Sequence, residues 1–279
     1  MDYRVVIMNV MDKAVLFKAL HDAPDIFIIP NPWDSGSARL LAGLGFKALA
    51  TSSAASAANA GVRDGRLTRD QALDHARTIV NATDLPVSAD LERGFGDSPE
   101  VVAETIRMAA DAGLVGCTIE DTTGNADRPL YDERLAVERI AAAAEAADAL
   151  PFPFMLTARA HTLQFPGGRL DDTIHRLQMF ERAGADVLFA PGLPDVDSVR
   201  TVCQSLTKPF NFMAGIPGKS FAVHELAAAG VKRISLATSL YRAAMTGLLN
   251  AVREITDAGE FGFVDKTVTT ADLYRLMKI

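Results

Sequence analysis

Four times along this chain a helical pattern ends in small residues and a glycine, then runs straight into an apolar, strand-like run. The segments are AGLGFKALA at 42–50, DAGLVGCTIE at 111–120, RAGADVLFA at 182–190 and AAGVKRISLA at 228–237. Gly45, Gly113, Gly184 and Gly230 each stand where closing a helix calls for left-handed backbone, which glycine adopts without a Cβ penalty. Eight runs read as strands: 25–30, 46–53, 85–92, 115–121, 154–159, 187–190, 209–213 and 233–237. Between them, segments such as 69–81, 99–112, 133–147, 170–183 and 196–206 carry apolar residues at helical spacing with Asp, Ser or Thr near their starts. Strands apolar nearly throughout, each separated by a helix, belong to a parallel sheet covered by helices. Short helix-to-strand turns gather the tight connections on one face and leave the longer strand-to-helix loops on the other, where α/β barrels carry their chemistry. The expected fold is therefore α/β, a (β/α)8 TIM barrel. An open doubly wound sheet would also alternate, but no Gly-x-Gly-x-x-Gly fingerprint follows an early strand.

No linker or low-complexity block divides the 279 residues, so 1–279 reads as one barrel domain with a C-terminal helical extension at 239–260 and 270–278. That extension is long enough to reach a neighbouring subunit. A net charge of −7 with interspersed signs supplies no positive field for nucleic acid or anionic lipid. The expected partners are small molecules and further copies of the chain. Cys117 and Cys203 are far apart and without a pairing pattern, which suits a reducing compartment, and the cytoplasm is the expected location. The opening stretch MDYRVVIMNVMDKAVLFKAL fails as a signal peptide, because charges interrupt its apolar residues.

The densest chemistry lies in VSADLERGFGD (87–97), where an apolar strand ends in Asp90 and Glu92 before Gly94 and Gly96 turn the chain. Side chains two apart on a strand share a face, so both carboxylates are expected at the barrel mouth. The next strand ends in CTIED (117–121), adding Glu120 and Asp121. Carboxylates clustered without Cys or His suit a hard, oxygen-preferring ion: Mg2+, with Mn2+ as the nearest substitute. The competing reading is that single acids cap helices or pair with Arg93 and Arg128. FMLTAR ends in Arg159, which can fork hydrogen bonds to a substrate carboxylate or an oxyanion, or bridge Glu120. LATSSAASAA (49–58) reads as a small-residue loop offering hydroxyls and N–H groups to a carboxylate, and Asp64 in GVRDG is an acid, base or turn residue. Among the histidines only His161, two beyond Arg159, falls near the mouth, and no HExxH pair suggests zinc.

Taken in order, PNPWDSGSARLLAGLGFKALATSSAASA, ADLERGFGDSPEVVAETIRMAADAGLVGCTIED and LTAR resemble the isocitrate lyase/phosphoenolpyruvate mutase superfamily from about residue 29 to about 248. The resemblance implies that Ser52, Ser53 and Ala54 bind the 2-oxo acid carboxylate and that Asp64 is the acid after that loop. It implies Asp90, Glu92 and Glu120 as metal carboxylates and Arg159 as the substrate-binding arginine. Asn211 aligns with a polar strand-7 residue that contacts substrate. It further implies Mg2+, a cytoplasmic location, and a homodimer or homotetramer that exchanges its last barrel helix. Two departures stand out. Isocitrate and methylisocitrate lyases carry Lys-Lys/Arg-Cys-Gly-His after strand 4, whereas TTGNADRPLYD (122–132) has neither Cys nor His; and FAPG places Pro191 where those lyases have a glutamate. The chain is thus similar to the cysteine-less branches.

The expected reaction is cleavage of a C–C bond beside the carbonyl of a small, oxaloacetate-like 2-oxo acid or dicarboxylate through an enolate. Asp64, Tyr131 and His161 are the candidate proton carriers. P–C chemistry on phosphonopyruvate is the alternative enzyme reading, and a 2-oxo acid binding protein without turnover is the alternative from another class.

Overall fold

The structure is a computed structural model describing residues 8–278; the first seven residues of the stretch tested as a leader lie outside the described residues. Eight parallel strands run in the order β1-β8-β7-β6-β5-β4-β3-β2. They are β1 (Phe27–Ile29), β2 (Leu49–Ala50), β3 (Val87–Asp90), β4 (Gly116–Glu120), β5 (Met155–Arg159), β6 (Val187–Phe189), β7 (Phe210–Met213) and β8 (Arg233–Ser235). The ring closes between β1 and β2, where the Ala50 N–H donates to the Pro30 carbonyl at 3.1 Å and Asn31 Nδ2 donates to the Thr51 carbonyl at 3.0 Å. All eight expected strands are present, each inside its expected range, and the open sheet is excluded by this closure.

The helices are α1 (Val10–Asp22), α2 (Ser35–Gly43), α3 (Ser53–Asn59), α4 (Arg69–Ala82), α5 (Pro99–Asp111), α6 (Glu133–Asp148), α7 (Leu170–Arg182), α8 (Val196–Gln204), α9 (Val223–Ala228), α10 (Ser239–Ala258) and α11 (Thr270–Met277). Their starts follow side-chain chemistry: Thr68 and Gln71 form a reciprocal capping box at α4, and Asp132 and Asp195 cap α6 and α8. The four echo glycines all take positive φ, from 85° at Gly113 to 103° at Gly184. One reading is corrected: 49–58 is not a loop. After the short β2 the chain turns into α3, whose N-cap is Ser52, its Oγ accepting from the Ala55 N–H at 3.4 Å. A run of Ser and Ala lacks apolar periodicity yet has high helix propensity once a capping serine starts it.

α1 plugs the N-terminal end of the barrel. Its Phe17 is fully buried with Ala14 against Ile29, Ala48, Val115, Met155 and Val187. A Cβ on Gly116 would stand 2.7 Å from the Met155 carbonyl oxygen and 3.0 Å from Phe17 Cε1, so glycine there lets the plug seat. Directly above, buried Arg233 donates from Nε to Asn211 Oδ1 (2.8 Å) and from Nη2 to Thr157 Oγ1 (2.9 Å), with Nη1 3.2 Å from His21 Nε2. At the other extreme α10 has no buried residue and turns Leu248, Leu249, Val252 and Ile255 outward.

Candidate functional site

The C-terminal ends of the strands open into a cavity of about 640 Å³ lined by Ser52, Ser53, Ala54, Asp64, Asp90, Glu92, Arg93, Glu120, Arg159 and His161. Below it, an inner cavity of about 50 Å³ shares Ser52, Asp90 and Arg159 with the mouth and continues to Asn211 and Arg233.

β3, β4 and β5 deliver the charged centre because they pair in register, Glu120 beside Arg159. Arg159 Nη1 lies 3.4 Å from Glu120 Oε2 and 3.8 Å from Asp90 Oδ2, and its guanidinium sits over the Phe189 ring at 4.8 Å. Its Nε is buried and has no hydrogen-bond partner among the described residues. Glu120 also accepts from Thr122 Oγ1 at 2.6 Å and faces His161 Nε2 at 2.9 Å. Burial alone would raise the Glu120 carboxyl, but Arg159, His161 and Thr122 override it and hold it down at about 2. Asp90 accepts from Ser53 through both Oγ (3.1 Å) and N–H (3.3 Å) and from the Glu92 N–H (3.2 Å). Burial pushes Asp90 up, against the pull of Arg159.

Glu92 reaches the mouth by a different route from the expected one. β3 ends at Asp90, and Glu92 stands beyond it with φ 49°, followed by Gly94 at 78° and Phe95 at 61°. Strand alternation therefore does not place it; a left-handed turn does, at a cost of order 1 kcal/mol for each non-glycine residue. Arg139 of α6, 1% exposed, fastens that turn. It donates to the carbonyls of Gly96 (2.6 Å), Asp97 and Arg93, and stacks on Tyr131 at 4.2 Å, while Tyr131 Oη donates to Asp97. Burial, then the neighbouring charges of Asp90, Asp64 and Glu120, lift the Glu92 carboxyl to about 7.

The remaining expected residues divide. Asp64 lines the mouth but is exposed, and its Oδ1 accepts from the Gly65 N–H at 3.1 Å, the ordinary habit of an Asp before Gly. Asn211, 1% exposed, lines only the inner cavity and is held by Arg233 and Ser235. Asp121 turns away from the mouth to accept from the His161 N–H (2.9 Å) and Arg176 Nη1 (3.2 Å), a pairing invisible in the sequence because Arg176 lies on α7. Neither Arg93 nor Arg128 has a carboxylate within 4 Å among the described residues, so the mouth acids are not tied down by them. Cys117 is fully buried, its thiol pushed up by that burial, and serves packing.

Oxygen donors alone, with no sulfur, suit Mg2+ by their chemistry. Among the described residues, however, no three His, Cys, Asp or Glu side chains approach closely enough to enclose an ion unaided. The fit to Mg2+ therefore rests on the chemistry of the donors Asp90, Glu92 and Glu120 and not on a preformed cage.

A parallel barrel with carboxylates and an arginine converging at its C-terminal mouth is the architecture of the (β/α)8 barrel enzymes, which carry their chemistry on that face. Within that class the chain belongs to the phosphoenolpyruvate phosphomutase family, whose model matches residues 17–256, and lyases are among its relatives. The crystal structure of a "putative lyase/mutase" from Burkholderia cenocepacia J2315 is 50% identical, covers 97% of both chains and superposes with a TM-score of 0.94. The structure of 2,3-dimethylmalate lyase is 29% identical over 95% of this chain and 94% of that one, with a TM-score of 0.85. 2-Methylisocitrate lyase of Escherichia coli (strain K12) is 29% identical over 222 residues, 75% of this chain and 73% of that protein. No helix of the described residues is long and apolar enough to cross a membrane.

Proposed function

We propose that the protein is a Mg2+-dependent lyase that cleaves a C–C bond beside the carbonyl of a small 2-oxo acid or related dicarboxylate. The observation that carries this reading is Arg159: fixed between Asp90 and Glu120, lining both cavities, with a buried Nε that nothing among the described residues satisfies. A planar guanidinium so placed fits a carboxylate or a developing oxyanion. Asp90, Glu92 and Glu120 would hold the ion, directly or through waters; Mn2+ would substitute for it. When bound, the ion supplies Lewis acidity at the substrate's oxygens.

The chain's own residues supply the rest. Ser52, Ser53 and Ala54 line the mouth at the start of α3 and would receive the substrate carboxylate there, Ser53 giving up to it donors that otherwise reach Asp90. Arg159 faces the oxyanion that grows as the bond beside the carbonyl breaks and an enolate forms. Protonation of that enolate falls to His161, Tyr131 or Asp64; His161 is the one whose ring lines the mouth and is oriented by Glu120 and Gln164. Loop 122–132 brings neither Cys nor His, which argues against the isocitrate and methylisocitrate cleavages and leaves an oxaloacetate-like or substituted-malate substrate ahead of P–C chemistry on phosphonopyruvate. The outward apolar residues of α10 support a homodimer or homotetramer, and a cytoplasmic location fits the unpaired cysteines.

The test incubates the purified protein with Mg2+ and oxaloacetate, substituted malates, methylisocitrate or phosphonopyruvate, following 2-oxo acid products by mass. Metal-dependent product from one carbon substrate is expected. Product only from phosphonopyruvate would transfer the protein to P–C chemistry, and metal-dependent binding without any product would make it a 2-oxo acid binding protein.

A further inference from the structure

Arg159 is satisfied on one side by acids, but it is not alone at the mouth. Arg93, on the turn immediately after Glu92, lines the same cavity, and its guanidinium makes no hydrogen bond and no ion pair within 4 Å among the described residues. Its Nε is buried without a partner. A donor removed from water and left unmet is costly unless a ligand meets it. Arg66 also lines the cavity, but it is exposed and keeps its hydration. Two further features hold Arg93 in place. Arg139 binds its backbone carbonyl, and its Nη1 lies across the hairpin of loop 122–132, only 2.7 Å from where a Cβ on Gly124 would stand.

We propose that Arg93 receives the second anionic group of the substrate, so that the mouth selects a 2-oxo acid bearing a further carboxylate or phosphonate over a monoanionic one. The inference rests on the 2-oxo acid reading above and deepens it. With the 2-oxo acid end engaged at Arg159 and the β3 and β4 carboxylates, the remaining arginines lining the cavity for a second anion are Arg93 and the solvated Arg66, the rest of the lining being acidic or without a fixed positive charge. A half-buried guanidinium offers it a forked, charge-assisted contact.

The experiment compares apparent affinities of the full chain in Mg2+ for pyruvate, oxaloacetate and phosphonopyruvate, as Kd where the ligand is inert and KM where it turns over. The wild type should prefer the dianions, and Arg93→Met should cut their affinity roughly 10- to 100-fold with pyruvate unchanged. Arg93→Lys should restore part of the preference. Gly124→Ala, which displaces the guanidinium without removing its charge, should give a smaller loss of the same kind. Whichever dianion loses more identifies the group received. A preference that survives Arg93→Met, an equal loss for pyruvate, or a wild type that binds pyruvate without preferring dianions overturns the inference alone. Failure of the wild type to bind even pyruvate with metal overturns the functional reading and this inference with it.

Discussion

The two ends of the barrel contain the same ingredients, a buried arginine and a histidine, arranged to opposite purposes. At the floor, Arg233 donates to neutral acceptors, Asn211, Thr157 and His21, and each of its three guanidinium nitrogens has a partner. At the mouth, Arg159 and His161 face carboxylates, and the buried Nε atoms of Arg159 and Arg93 have no partners among the described residues. A satisfied polar cluster rigidifies, whereas an unsatisfied one awaits a ligand. In barrels of this kind the N-terminal face serves stability and the C-terminal face chemistry, and here the hydrogen-bond inventory separates them without reference to any relative.

The contrast breaks most visibly at Arg159. Arg159→Lys keeps the charge between Asp90 and Glu120 but loses the fork, so kcat/KM should fall about 1,000-fold while thermal unfolding shifts little. A large drop in melting temperature with activity preserved would show that the mouth arginine is structural after all.

The converse substitution is Arg233→Met. It strands Asn211 Oδ1, Thr157 Oγ1 and His21 Nε2 in the interior, and chemical denaturation should register a loss of about 3 kcal/mol. Turnover per folded molecule should change far less than stability. Equal stability of the variant would mean that the buried charge costs as much as its bonds return.

How much of this was legible beforehand differs between the two ends. The strands, the echo glycines and the residues at strand ends could be read because each depends on local pattern: Asp90, Glu120 and Arg159 stand where a run of apolar residues stops. α3 escaped because alanine and serine carry no periodicity, and Glu92 was located for the wrong reason, a left-handed turn replacing the strand. The roles of Arg93, Arg139, Arg176 and Arg233 depend on partners distant in sequence, from the 46 positions between Arg139 and Arg93 to the 212 between Arg233 and His21. Nothing in a single sequence announces such pairs.

Acid should sharpen the comparison. His21 Nδ1 sits 2.8 Å from the Phe17 carbonyl, so the neutral ring donates there and accepts from Arg233 through Nε2. Burial first, then Arg233, lowers its pKa from 6.5 to about 3. The unfolded chain thus takes up the proton first: stability is complete above about pH 6.5 and is lost as pH falls toward 3, by about 2 kcal/mol at pH 5. His21→Gln, which can make both bonds but does not titrate, should flatten that part of the pH–stability curve. An unchanged slope would place the acid sensitivity elsewhere.

The smallest effect belongs to Ser53, where a single hydroxyl links α3 to the mouth. Its Oγ lies 3.1 Å from Asp90 Oδ2, while the helix cap is the neighbouring Ser52 and the Ser53 N–H also reaches Asp90. Ser53→Ala therefore removes one hydrogen bond to a charged acceptor and leaves the helix start intact. Ligand affinity in Mg2+ should weaken about fivefold, near 1 kcal/mol, with no measurable change in unfolding. If unfolding shifts and binding does not, the serine belongs with the floor's kind of bond, which tightens the fold, and the boundary between the two ends lies higher in the barrel than Asp90.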